Sequence, residues 1–196
     1  MASIKIAGDT SGEITVSVPS VAGTNTLTLP ANTGNIITTG DSGTITQGMI
    51  ASGVAGTGPA FRASASGSQT LANTTFTKIN FATEIFDTNS NYDTSLSRFT
   101  PTVAGYYHIY GMVRFVSTTA SKVLVARIYK NGTYYASYEG VTGTSDSSTQ
   151  TSALVYCNGS TDYVEFYSYQ NSGGNLNTGS YGNATVVFEG YFVRSA

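Results

Sequence analysis

Cysteine, histidine and tryptophan are almost missing from this sequence: one Cys, one His and no Trp in 196 residues. A single Cys157 excludes an intrachain disulfide and reads as a small buried apolar group. A single His108 makes a poor metal site, and it leaves no base for a serine nucleophile in the other half of the chain. The tetrad "GDSG" at 40–43 is therefore a turn. Charge is also scarce, with 9 Lys plus Arg and 11 Asp plus Glu. The cations are scattered and form no basic stripe, which argues against nucleic acid as a partner. The acids form no convincing pair for glycan cleavage, and a polysaccharide-degrading enzyme is kept only as the alternative of another class. No catalytic, cofactor-binding or metal-binding residues are assigned. No apolar run approaches the ~18 residues of a membrane helix, so no membrane insertion is expected. The opening "MASIKIAGDTSG" lacks an apolar h-region, and the expectation is a chain made and assembled in the cytoplasm without a signal peptide.

The oxygen-rich stretch "FDTNSNYDTSLSRF" at 86–99 spaces Asp87, Asn89, Asn91 and Asp93 like the front of a calcium loop. Such a loop needs Gly at its sixth position and Glu at its twelfth. Here those positions hold Tyr92 and Arg98. The stretch reads as a polar β-loop rich in turn formers.

What is present is β-forming. Gly is abundant at 22 residues, Ser and Thr are dense, and 14 Tyr and 9 Phe supply the aromatics. Helical periodicity is nowhere sustained. Every aromatic residue lies at 61 or beyond, which divides the chain into an amino-terminal segment, 1–58, and a head, 59–196. The segment carries short alternating runs, "EITVSV" (13–18) and "TLTLP" (26–30), and a weak repeat, "GDTSGEIT" against "GDSGTIT". It holds too few large apolar residues to bury a core alone. Residues 47–58 read as a linker. In the head, strands are expected near 60–66, 75–82, 96–100, 106–117, 122–130, 133–139, 149–157, 162–169 and 184–194. Tight turns are expected at Asn131-Gly132 and Asn158-Gly159, since Asn-Gly supplies the positive φ of a type I′ turn. The four Asn-x-Ser/Thr sequons, at Asn73, Asn131, Asn158 and Asn183, read as turn chemistry.

One spacing carries more. In "FATEIFDTNSNYDTSLSRFTPTVAGYYHI" (81–109), Phe81, Asp87, Tyr92, Phe99, Gly105 and Tyr107 fall at intervals of six, five, seven, six and two. This resembles the signature of the complement C1q globular-head family within the tumour-necrosis-factor-like superfamily. Ile109 and Gly111 depart from it, standing where that signature has aromatics. "YKNGTYY" (129–135) and "VVFEGYFV" (186–193) resemble the family's hairpin and closing strand. The resemblance covers about residues 59–194. It implies an all-β jelly-roll sandwich that assembles as a homotrimer. The segment "GTNTLTLPANTGNIITTG" (23–40) resembles a β-rich repeat common in bacteriophage tail-fibre and other virion proteins. Together they imply a virion protein: a tail fibre or spike subunit whose stem docks on other virion proteins, or a capsid-attached head fibre or decoration protein.

Alternation supports self-association without the resemblance. In 106–116, Tyr107, Ile109, Gly111, Val113 and Phe115 share one apolar face. The other face holds Tyr106, His108, Tyr110, Met112 and Arg114, where a solvated face would show Lys, Glu, Thr and Ser. The closing strand puts Val186, Phe188, Gly190 and Phe192 inward, and Val187, Tyr191 and Val193 on the second face. Tyr106, His108, Tyr110, Met112, Val187, Tyr191 and Val193 are the expected trimer interface.

Successive loops of an antiparallel sandwich alternate between its ends. Loops 117–121, 140–150 and 170–183 should therefore share one end, and the two Asn-Gly turns should share the other with the carboxyl terminus. Tyr169 and Tyr181 border the longest loop and can stack on sugar rings, with Asn171, Asn175 and Asn177 as hydrogen-bonding partners to a host-surface glycan. Residues 171–180 read as a solvated connection, replaceable by a short turn without loss of the fold.

Overall fold

A computed structural model describes residues 3–7, 11–17, 58–179 and 185–195, and every regular element in them is a β-strand. They fall in two compact units, divided between Ser52 and Gly53. The first contributes one antiparallel hairpin, β1 (Ser3–Ala7) with β2 (Glu13–Ser17), in which Ser3 faces Ser17 and Ala7 faces Glu13. The alternating run at 13–18 supplies β2. Ile6 is 58% exposed, and a lone two-stranded ribbon buries too little to be stable by itself. "TLTLP", "GDSG" and nearly all of the linker at 47–58 lie outside the described residues.

The second unit runs β3 (Ala60–Ser64), β4 (Thr70–Leu71), β5 (Thr77–Lys78), β6 (Thr83–Asp87), β7 (Tyr92–Asp93), β8 (Arg98–Phe99), β9 (Ala104–Phe115), β10 (Val123–Lys130), β11 (Thr133–Val141), β12 (Ser147–Asn158), β13 (Val164–Gln170), β14 (Leu176–Asn177) and β15 (Val187–Arg194). One sheet has the order β12-β9-β15-β3-β6. The other has the order β11-β10-β13-β8-β7, with β5 also paired to β13. All pairings are antiparallel, and β14 pairs with β4 as a small third piece. The core lies between the two sheets. It is filled from β9 by Tyr107, Ile109, Val113 and Phe115, from β10 by Leu124, Ala126 and Ile128, and from β13 by Val164 and Phe166. Every odd position from Gly105 to Phe115 is buried and the even ones are half-buried, as the alternation in 106–116 requires.

The signature residues are the packing of this core. Phe61 stacks on Phe99 at 4.3 Å and on Tyr92 at 5.0 Å, and Phe81 stacks on Phe188 at 5.5 Å. Tyr92 Oη donates to the Phe81 carbonyl at 2.9 Å, and Tyr107 Oη donates to the Val103 carbonyl at 2.6 Å. Burial pushes the Tyr107 phenol up to about 12. The departure at Gly111 has a physical reason: a Cβ there would overlap the Phe166 ring. The aromatic that the signature expects at 111 comes instead from the facing sheet.

Several strands differ from expectation, among them the two-residue strands β4, β7 and β14, which were not expected. In place of a strand over 75–82, only Thr77–Lys78 pairs. The amides of Asn80 and Phe81 are taken by the Gln69 Oε1 and Ser97 Oγ side-chain oxygens, so the ladder stops. β6 was not expected. It pairs with β3 at the sheet edge through a bulge that places two of its residues, Ile85 and Phe86, on the surface.

Loops alternate between the ends as the topology demands. At one end Thr118 N donates to the Ser145 carbonyl, Ser121 N to Thr142, and Asn171 N to Val123, joining loops 117–121, 140–146 and the start of 171–179. At the other end the two Asn-Gly turns are fastened to each other by Asp162. Its carboxylate accepts from Asn131 Nδ2 at 2.7 Å, Asn158 N at 3.0 Å and Lys130 Nζ at 2.9 Å. The start of the head and the end of β15 lie at this end too: Phe192 N donates to the Pro59 carbonyl, and Gly159 abuts Val103 and Ala104. The bonds from Lys130 and Asn131 hold the Asp162 carboxyl below the usual carboxylate range. A depressed folded-state value stabilises the fold above the unfolded value, near pH 4, and that stabilisation vanishes as pH falls through the folded value. Asp162→Asn should therefore cost roughly 1–3 kcal/mol at pH 7. In thermal melts the gap between variant and parent should shrink progressively as pH falls below about 4; a gap independent of pH would show that the charge is not what fastens the turns.

Candidate functional site

The outward face of the β12-β9-β15-β3-β6 sheet is where the expected interface residues fall. The register sets Leu154, His108 and Tyr191 side by side across β12, β9 and β15, with Tyr156 beside Tyr106 in the next row. The Tyr106 and Tyr156 rings are 5.6 Å apart, and His108 and Tyr191 are 5.4 Å apart. Tyr191, on the central strand β15, is 54% exposed, and Leu154, on the edge strand β12, is 53% exposed. A hollow of about 450 Å³ lies beside them, lined by His108, Tyr110, Tyr191 and Phe86 among others. Polar contacts interrupt the face but close on one another. Arg62 pairs with Glu189, Arg114 pairs with Asp146, and Tyr110 Oη donates to Gln150 Oε1 at 2.6 Å.

Five of the seven expected interface residues, Tyr106, His108, Tyr110, Met112 and Tyr191, share this surface. One needs correction, and a bulge falls at the other, Val193, which is exposed. Val187 is only 2% exposed within the single chain, so it has no surface to offer a partner. Val193 is the extra residue of a bulge: Phe192 faces Tyr107 and Arg194 faces Tyr106. The bulge brings Arg194 back to the outward face, where its guanidinium lies over the Tyr106 ring at 6.0 Å. Leu154, Tyr156 and Phe86 were missed. The first two were legible, because "ALVYC" at 153–157 is apolar on both faces of β12 just as β9 is.

At the long-loop end, the expectation of a loose connection over 171–180 does not hold for its described part. Leu176 is buried, Leu176–Asn177 pairs with β4, and Thr178 bridges to Phe115. Gln170 Nε2 donates to the Leu71 and Gly174 carbonyls, and Asn73 Oδ1 accepts from Gly173 N at 2.8 Å. Replacing 171–180 by a short turn would remove these anchors along with any recognition surface. Asn177 Oδ1 accepts from Thr70 Oγ1, Asn171 Oδ1 accepts from Val123 N, and Asn175 is exposed. Tyr169 packs on Phe76 with ring centroids 5.0 Å apart. Tyr181 and the sequon at Asn183 lie outside the described residues.

The calcium-like stretch uses its oxygens on itself. Asp87 accepts from the amides of Asn89 and Tyr92, and Asp93 Oδ1 accepts from Ser95 N, Ser95 Oγ and Leu96 N. Hydrogen bonding, led by Ser95, lowers the Asp93 carboxyl below its usual range. Asn91 reaches Thr102 and fastens the loop to the chain leading into β9. Cys157 is buried, and desolvation pushes its thiol up to about 11, away from reactivity.

No family model matches the sequence, and no curated protein matches it. Solved structures do. The PRD1 vertex protein P5 matches with a TM-score of 0.54 at 16% identity, over 71% of this chain and 100% of that one. The tumour necrosis factor Eiger of S. frugiperda matches with a TM-score of 0.52 at 8% identity, over 70% of this chain and 92% of that one. The globular domain of the zebrafish complement 1qA protein matches at 0.49 and 16% identity, over 70% and 99%. The fold rests on the first two, and at such identities it is the fold alone that is shared. The second unit has the TNF-like jelly-roll β-sandwich fold that the family resemblance implied.

Proposed function

We propose that this chain is a virion structural protein, a trimeric spike or tail-fibre subunit. In this reading residues 1–58 attach it to other virion proteins and the head meets the host surface. The observation that carries the reading is the outward sheet face. Tyr191, Leu154, Tyr156 and Phe86 expose apolar surface at the middle and edge of one sheet, and a head displayed alone would leave that patch in water. Aromatic residues with a few self-satisfied polar groups are the composition of an interface core. The family resemblance supports three copies around an axis, and a heterologous contact that closes on itself gives a ring. β11, at the other sheet's edge, offers a second surface for such a contact, with Tyr135 and Tyr138 each about half exposed.

A second reading, attachment at the capsid instead of the tail, is favoured by one observation. Among the structures named above, the highest TM-score belongs to a vertex protein. Electron microscopy of particles labelled with antibody to this chain separates the two, and labelling of neither site overturns both.

The assembly face is tested by substitutions that leave the single chain intact. Tyr191→Asp and Leu154→Asp stand at exposed positions, yet each would bury a carboxylate if copies meet there, at a cost of several kcal/mol. The melting temperature of the parent should rise with protein concentration, and that dependence should vanish in both variants. Unchanged dependence would move the contact elsewhere. Deleting residues 1–58 should leave a folded head that no longer enters particles; normal incorporation would place attachment in the head.

A further inference from the structure

The opposite side of the sandwich holds a feature that assembly does not use. On the outward face of β10, β11 and β13 lies a groove of about 380 Å³, within the range of small-ligand sites. Phe76, Val125, Arg127, Glu139, Tyr169 and Asn171 line it. The Phe76 and Tyr169 rings form its aromatic wall. The Arg127 guanidinium is clamped between two aromatic faces, 3.8 Å from the Phe76 centroid and 4.5 Å from that of Tyr134. This clamp fixes the plane of the guanidinium but uses few of its donors. Its one hydrogen bond among the described residues runs from Nε to Ser137 Oγ at 3.4 Å, and no carboxylate there pairs with it. Asn171 spends its Oδ1 on Val123 N at 2.6 Å, which leaves both Nδ2 donors without a partner among the described residues. Glu139 is exposed, and its carboxylate is likewise unpaired there.

We propose that this groove binds a neutral saccharide ring. Fixed donors on Arg127 and Asn171, an acceptor on Glu139 and an aromatic wall meet in one small concavity. Vicinal hydroxyls give and accept hydrogen bonds at once, and the C–H face of a pyranose stacks on a ring. The charges of Arg127 and Glu139 cancel within the groove, which selects against a simple anion. The ligand class deepens the glycan-binding part of the proposed function and rests on that part. It does not depend on where the chain sits in a particle, or on whether copies associate, because the groove is on the face turned away from the assembly sheet.

The test uses the full chain, titrated by saturation-transfer NMR and calorimetry with methyl glycosides of glucose, galactose and mannose, with N-acetylglucosamine, and with the corresponding β-linked disaccharides. N-acetylneuraminic acid is the acidic comparator. At least one neutral sugar should bind saturably, and Glu139→Ala and Tyr169→Ala should each weaken it about tenfold or more. Tyr156→Ala, on the other sheet, should leave it unchanged. Glu139 is exposed, so its variant should keep the parent melting temperature and isolates the ligand contact from folding. No neutral sugar bound at about 10 mM, affinity indifferent to both groove variants, or binding of the acidic sugar alone would each overturn the proposal. The association state measured on the same samples reports separately on the assembly face, so failure of one reading is not mistaken for failure of the other.

Discussion

Phe61 lies face to face with Phe99 and Tyr92 and meets Phe188 edge-on at 5.1 Å, so one ring from β3 touches residues from β7, β8 and β15 at once. This cluster joins the two sheets, and the rest of the head depends on it. Offset and edge-on aromatic pairs contribute about 0.5–1.5 kcal/mol each beyond the area that they bury. Their geometry also fixes the spacing between sheets. Once the rings interdigitate, β9 must present Gly111 to Phe166, and its even positions must point away from the core. The loop at 86–99 follows from the same constraint. Tyr92 and Phe99 are core residues at either side of it, and Asp87, Asn91 and Asp93 tie down the backbone between them.

A sandwich of this kind can satisfy its inward face within one chain. Its outward faces are free to differ, and here they do. The sheet that contains β9 carries tyrosines, Leu154 and His108 across three neighbouring strands, with its ion pairs closed locally. That is a surface suited to another copy of the same chain. The other sheet carries cations over rings, Arg98 over Tyr163 and Arg127 over Phe76, with Glu165 buried between Lys78 and Arg98. That is the face on which the saccharide groove is proposed.

The fold was legible because the information lies in period-two alternation and in the intervals between aromatics. β9 alternates throughout and β12 over most of its length, and Asn131-Gly132 and Asn158-Gly159 mark turns. What was not legible depends on contacts distant in sequence. Val187 reads as an outward residue by alternation, yet the chain itself buries it. Val193 was placed by strict alternation, which a bulge interrupts. The run 171–180 has the composition of a solvated loop, and its described part is fastened by contacts distant in sequence, such as the pairing of Leu176 with Leu71. The groove was half visible, through Tyr169 and Asn171. Phe76, Arg127 and Glu139 come from three separate stretches, and no local pattern announces their meeting.

The central claim is that the β9 sheet face is covered by other copies of this chain. Sedimentation equilibrium of the full chain at micromolar concentration tests it most directly. The account predicts a single species of three times the 20.5 kDa chain mass. A folded species at the mass of one chain, with Tyr191 and Leu154 in water, would contradict it.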